Sequence, residues 1–138
     1  MGPPTRSLDP VELRLAAEPA SVSVARHRVS ELVRGLGARS EDIEIAVTEA
    51  VSNAVEHGFR GGVGGAIVVR IETLVPETLA ITVSDDGVGI GPNPDKEGLG
   101  LGLALIGRLA SEVEIRSQRP HGTRIHMRFP LIGDRRPG

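Results

Sequence analysis

The sequence predicts an α+β fold, a two-layer α/β sandwich whose mixed, mostly antiparallel sheet carries its helices on one face. Three observations predict it. Segments of period 2 and period 3.6 follow one another in the order β-α-α-β-β-α-β-β. The second and third strands, and the fourth and fifth, follow each other through short links, which favours antiparallel or mixed pairing with helices on one face. The 138 residues, 39% of them hydrophobic, suffice for a single core and a single domain.

Residues 1–10 hold three prolines and a glycine and read as a loose arm. Val11, Leu13 and Leu15 then alternate with Glu12, Arg14 and Ala16, a first strand opening a domain over residues 11–130. Ser21 precedes Val22, Ala25, Val29, Leu32, Val33 and Leu36 at helical spacing, and Gly35 and Gly37 close that helix. Ser40 is an N-cap for the next helix, with Glu41 and Asp42 in the first turn, where the helix dipole favours negative charge. Ile43, Ala46, Val47, Ala50 and Ala54 form its buried stripe, and Gly58 ends it. Residues 59–66 read as a flexible loop with four glycines. Residues 67–74 and 79–84 are β-rich and joined around Pro76. A loop rich in Gly, Pro and Asp over residues 85–96 leads to a helix over about residues 100–110. Val113 and Ile115 mark a strand, and residues 123–129 the last one, with Ile125, Met127 and Phe129 on one face. Residues 131–138 read as a tail; no internal repeat or domain boundary is visible.

Composition excludes several classes. A net charge of -2, from 16 basic and 18 acidic residues, argues against a non-specific nucleic-acid binder. The absence of cysteine excludes a disulfide scaffold and thiolate zinc sites. The first residues lack the apolar core of a signal peptide, and no apolar run is long enough to span a bilayer. The expected location is the cytoplasm, with no direct nucleic-acid or membrane partner.

Chemistry concentrates in three segments. In TEAVSNAVEHG, Glu49, Asn53 and His57 fall at i, i+4 and i+8, close to one line along the helix and apart from the apolar stripe. Asparagine is a poor helix-interior residue, because its amide competes for backbone hydrogen bonds. Its carboxamide oxygen suits a hard cation such as Mg2+, and a glutamate one turn away can take a proton from a nucleophile beside that metal. A solvated polar face explains the same spacing more plainly. In SDDGVGI, Asp85 ends a strand and opens Asp-x-Gly-x-Gly with Gly87 and Gly89. A carboxylate there can accept a hydrogen bond from an exocyclic amine such as adenine N6; an ordinary turn is the equal alternative. Asp86 is expected to face solvent. In EGLGLGLALI, Gly98, Gly100 and Gly102 alternate with leucines before a helix, whose free N–H groups bind phosphate. Lys96 can reach a terminal phosphate; a flexible hinge is the alternative for the glycines. With no Trp or Tyr, and only Phe59 and Phe129 as aromatics, an adenine would sit among aliphatic side chains.

Taken in this order, the three segments resemble the GHKL or Bergerat-type ATPases, shared by histidine kinases and DNA gyrase. Glu49 to His57 resembles the N box, Asp85 to Gly89 the first glycine box and Gly98 to Gly102 the second. Gly122-Thr123 resembles the late Gly-Thr element, whose hydroxyl helps hold the adenine-binding aspartate. The string EAVSNAVEHG and the chain length are similar to the anti-sigma-factor serine kinase branch, and the phospho-acceptor hairpin that a sensor kinase carries before this domain is not expected. The resemblance covers roughly residues 10–130. It implies ATP and Mg2+ as cofactors, Glu49 as general base, Asn53 as Mg2+ ligand and Asp85 as adenine reader. It implies glycines 87, 89, 98, 100 and 102 as pocket-shaping residues, with Lys96, Thr123 and, secondarily, His57 around the nucleotide.

The implied activity is transfer of phosphate to a serine of a STAS-domain antagonist by a homodimeric anti-sigma factor. The alternative is a nucleotide-gated binding module of the same fold that transfers nothing. Some members of the branch carry an arginine just before the glycine ladder, where this chain reads Asp95-Lys96-Glu97-Gly98; lysine is a point charge without the bidentate fork. That departure bears on phosphotransfer rather than on nucleotide binding. His27, His121 and His126 show no metal-like spacing, Ser52 has no triad partners, and Arg26, Arg28 and Arg34 read as solvated.

Overall fold

Alternation along the strands decides which face of the sheet is covered. A computed structural model describes residues 9–36, 39–58, 65–74, 77–86, 96–117 and 122–131. It contains β1 (Val11–Ala16), α1 (Ala20–Val33), α2 (Ser40–Gly58), β2 (Ala66–Leu74), β3 (Thr78–Asp85), α3 (Lys96–Leu109), β4 (Glu112–Ser117) and β5 (Thr123–Pro130). The strands form one sheet in the order β1-β2-β3-β5-β4. Every pairing among the described residues is antiparallel, where the sequence also allowed a mixed sheet. The physical reason lies in the α3 crossover. It carries the chain past one slot, and β5 folds back into that slot, so β3 and β4 point the same way without touching.

The register stacks apolar residues in rows across the inner face. Val11, Ile71, Ile81, Met127 and Val113 make one row, and Leu13, Val69, Val83, Ile125 and Ile115 the next. Ile67, Val69, Ile71, Leu79, Ile81 and Met127 are completely buried, in one cluster with Ala25, Val29, Val33, Val47, Val51 and Ile106 from the helices. Ile115, at the edge on β4, stays exposed. The opposite face is charged. Arg70 lies 3.3 Å from Glu12 and 3.5 Å from Glu72, Arg116 2.8 Å from Glu114, and Arg128 3.5 Å from Glu112. Such exposed pairs contribute little stability and act mainly to keep that face wet. His126 is held there by Thr82, with Oγ1 and Nδ1 2.8 Å apart.

The helices begin where local bonds allow. Pro19, with φ of -57°, precedes α1, and the buried Ser21 donates from Oγ to the Ala16 carbonyl at 2.6 Å, tying the helix to the exit of β1. Ser30 Oγ donates to Glu44 Oε2 at 2.9 Å, joining α1 to α2. The helix α3 starts at Lys96, four residues before the expected start at Gly100, so Gly98, Gly100 and Gly102 lie inside it rather than ahead of it. Lys96, Glu97 and the leucines favour helix strongly enough to carry glycines that each cost about 1 kcal/mol relative to alanine. No described helix is long and apolar enough to cross a membrane.

Ile81→Ala, at the centre of the buried face, is expected to destabilise the fold by about 2–5 kcal/mol in chemical denaturation. Arg116→Ala, on the charged face, should leave the denaturation midpoint nearly unchanged. The Arg116 guanidinium holds the Glu114 carboxyl below the usual carboxylate range by hydrogen bond and charge. The same variant should therefore raise the Glu114 pKa toward its ordinary value in an NMR titration.

Candidate functional site

The middle of α2 is covered on more than one side. Ile43, Ala46, Val47, Ala50, Val51, Ala54 and Val55 are all buried, because α2 packs against α1, α3 and the sheet. Asn53 sits among them at 6% exposure, and Glu49 is half-buried one turn earlier. The expected separation of a polar line from the apolar stripe therefore fails at Asn53, and a solvated face does not describe it. The wheel of α2 places Asn53 beside the stripe, and α2 is packed against α1, α3 and the sheet rather than along one side only. Asn53 Nδ2 is buried without a hydrogen-bond partner. A buried polar group in that condition costs about 1–3 kcal/mol. His57 lies in the last turn of α2, and its side chain is outside the described residues.

The second part of the site is the end of the sheet. Asp85 closes β3 and stands directly opposite Thr123, the first residue of β5, on the inner face. Both are 6% exposed. Thr123 Oγ1 is buried without a hydrogen-bond partner, so the expected clasp between this hydroxyl and the Asp85 carboxylate is not made in the structure. The ladder fixes the two backbones opposite each other without supplying the hydroxyl a partner. These two orphaned polar groups, a carboxamide and a hydroxyl, fit a bound polar ligand with its own donors and acceptors. Rotation of the Asn53 carboxamide by half a turn exchanges its donor for its acceptor in nearly the same place, so it also fits a hard cation.

Gly122 makes the pairing possible. Its φ is +119°, and a Cβ there would run into the Asp85 carbonyl oxygen and lie 3.2 Å from the Asp86 Cα. Only glycine permits that approach. The Gly-Thr dipeptide ahead of the last strand was the signal for this role, although Thr123 alone had been expected to act. Asp86 faces solvent as expected, yet it is not idle: its Oδ1 accepts the Ala66 N–H at 2.9 Å. Nothing in the sequence joins two residues 20 positions apart in this way.

Lys96, Gly98, Gly100 and Gly102 occupy the first turns of α3, with their side-chain surroundings outside the described residues. Free N–H groups at this end thus belong to residues 96–99 rather than to the turn after Gly100. Gly87 and Gly89 lie outside the described residues. The structure therefore brings Asp85, Gly122 and Thr123 together, and sets Glu49 and Asn53 on the helix packed over β3 and against α3.

This arrangement has a counterpart among known families. The model of the histidine kinase-like ATPase domain matches residues 15–129, and the chain belongs to that family. A serine-protein kinase RsbW of Listeria innocua serovar 6a is 37% identical over 82 residues, which cover 57% of this chain and 52% of the relative. The chain thus spans about half the length of the curated relatives it matches. Among solved structures, the RsbU and RsbW domains of Rv1364c from Mycobacterium tuberculosis superpose with a TM-score of 0.71 at 28% identity, over 90% of this chain and 33% of that one. A chain of the SiaB-SiaC complex from Pseudomonas aeruginosa shares the fold, with a TM-score of 0.67 at 15% identity over 91% of this chain and 90% of that one.

Asn53→Leu is expected to raise the unfolding free energy by about 1–2 kcal/mol, because it removes a buried amide with no partner while keeping side-chain volume. The same variant should lose Mg2+-dependent nucleotide binding; calorimetry and denaturation on one preparation check both halves. Gly122→Ala should destabilise the fold by about 1–3 kcal/mol through strain at a positive φ.

Proposed function

We propose that this chain is an ATP-binding serine protein kinase and anti-sigma factor of a partner-switching pathway, which phosphorylates a serine on a STAS-type antagonist. The observation that carries the reading is the buried Asn53, whose amide Nδ2 has no partner, one turn from the half-buried Glu49, in a chain of the histidine kinase-like ATPase family. The kinase name of the Listeria relative supports the acceptor being a serine. Homodimerisation and a cytoplasmic location complete the reading.

Each role follows from chemistry already described. Asp85 accepts a hydrogen bond from the adenine amine, and Thr123 completes the polar lining opposite it. The N–H groups opening α3 face the phosphates, glycines 87, 89, 98, 100 and 102 leave room for them, and Lys96 neutralises the terminal charge. His57, in the last turn of α2, serves as a secondary phosphate contact. Asn53 would offer its carboxamide oxygen to Mg2+, and the bound ion would supply charge neutralisation for the transferred phosphoryl group. Among the described residues no cluster of three or more His, Asp or Glu is placed to hold a metal by itself. Glu49 takes the proton of the acceptor serine as its oxygen attacks the γ-phosphorus in line, and ADP leaves with the electron pair of the broken P–O bond.

A second reading, a nucleotide-gated binding module without phosphotransfer, is favoured by the lysine at position 96, where some relatives carry arginine. Intact-mass spectrometry of the STAS-domain protein encoded nearest to this chain, incubated with Mg-ATP and the protein, separates the two. The expected outcome is a gain of one phosphate on one serine, slowed about 10²–10⁴-fold by Glu49→Gln. Equal rates for Glu49→Gln and the wild type would remove the base assignment. Binding of ATP and of the partner without any mass gain would select the second reading.

A further inference from the structure

Asp85 carries its carboxylate on the last rung of β3, immediately before the ladder ends. Asp85 is the last residue of the strand, with ladder neighbours Ile67 on one side and Thr123 on the other. Strand ends fray, because each residue beyond the last rung loses its cross-strand bonds. The next rung in the β2–β3 register would place Asp86 opposite Ala66. That rung is replaced. The Ala66 N–H is accepted by the Asp86 side chain, Oδ1 at 2.9 Å, which ties the two strand ends together one position past the last ladder pair. Ala66 is itself paired with Ala16 of β1, and the neighbouring Gly65 carbonyl accepts the Ala17 N–H at 2.9 Å, so the anchor is a fixed one. On the other flank the backbone of Gly122 packs directly beneath the Asp85 carbonyl and the Asp86 Cα.

From this geometry we propose that Asp86 is a positioning residue: its bond to Ala66 sets the orientation of Asp85, and with it the discrimination of adenine from guanine. The inference rests on the adenine-reading role given to Asp85 under the proposed function. Adenine presents an amine to that carboxylate, and guanine presents a carbonyl oxygen that a carboxylate repels. Selectivity between them depends on the carboxylate being held in place, whereas binding of the triphosphate at α3 does not. A residue that merely stabilised the fold would weaken both nucleotides alike.

The test measures the dissociation constants of Mg-ATP and Mg-GTP by calorimetry for the full chain, Asp86→Ala and Asp86→Asn, with thermal unfolding to confirm that each variant is folded. Asp86→Ala is expected to weaken ATP about tenfold, as for one charge-assisted hydrogen bond, and to leave GTP unchanged. Asp86→Asn keeps an acceptor oxygen at Oδ1 and should restore the wild-type ratio. An unchanged ATP-to-GTP ratio in Asp86→Ala, or an Asp86→Asn as unselective as Asp86→Ala, overturns this inference alone and leaves the role of Asp85 standing. A wild type that binds the two nucleotides equally overturns the role of Asp85 and this inference with it.

Discussion

The pairing of β3 with β5 is the constraint on which the rest of the structure depends. It runs from Thr78 opposite Pro130 to Asp85 opposite Thr123, without a break in register. Its inward side chains, Leu79, Ile81, Val83, Ile125, Met127 and Phe129, form the floor on which the helices rest. Its terminal rung is the candidate base-reading site. A slip of one residue would turn the whole apolar set outward and bring Arg124 or Ser84 to the site end of the inner face. Core and site therefore share one register, and the apolar burial that fixes the first fixes the second.

The same interior concentrates its unsatisfied chemistry in two places. Among the described residues, Asn53 and Thr123 keep buried polar atoms without partners beside a core built from Val, Ile, Leu and Ala with Met127 and Phe129. Apolar residues of similar volume would pack there at lower free energy, so stability alone does not account for them. A polar group left open inside a well-packed layer is pre-organised for a ligand that brings its own donors and acceptors. With an aliphatic interior and two phenylalanines in the chain, this part of the core offers hydrogen bonds rather than aromatic stacking to a ligand.

The elements were legible in the sequence wherever one period dominated. Alternation in residues 11–15 and 123–129 and the helical stripe from Ile43 to Ala54 recur in the structure with only the end residues shifted. The start of α3 was not legible, because leucines alternating with glycines carry a period of two while the backbone is helical from Lys96. The burial of Asn53 escaped as well: a helical wheel has one inside, and α2 is covered by two helices and a sheet. The tie from Asp86 to Ala66 is invisible to local pattern, since it depends on a register that sequence spacing does not state.

The place of β5 in the sheet also orders events in time. It lies between two strands that precede it in the chain, so β3 and β4 can be joined only by a segment made after both. Until residues 123–130 leave the ribosome, β3 exposes a bare edge beside a row of aliphatic side chains, and β4 has no neighbour at all. The nascent chain thus passes through an open-edged state in which neither the core nor the end of β3 has its final shape. Closing that edge is a long-range event, slow in proportion to the chain it must bring together. The candidate site and a sheet protected from aggregation arrive in the same step.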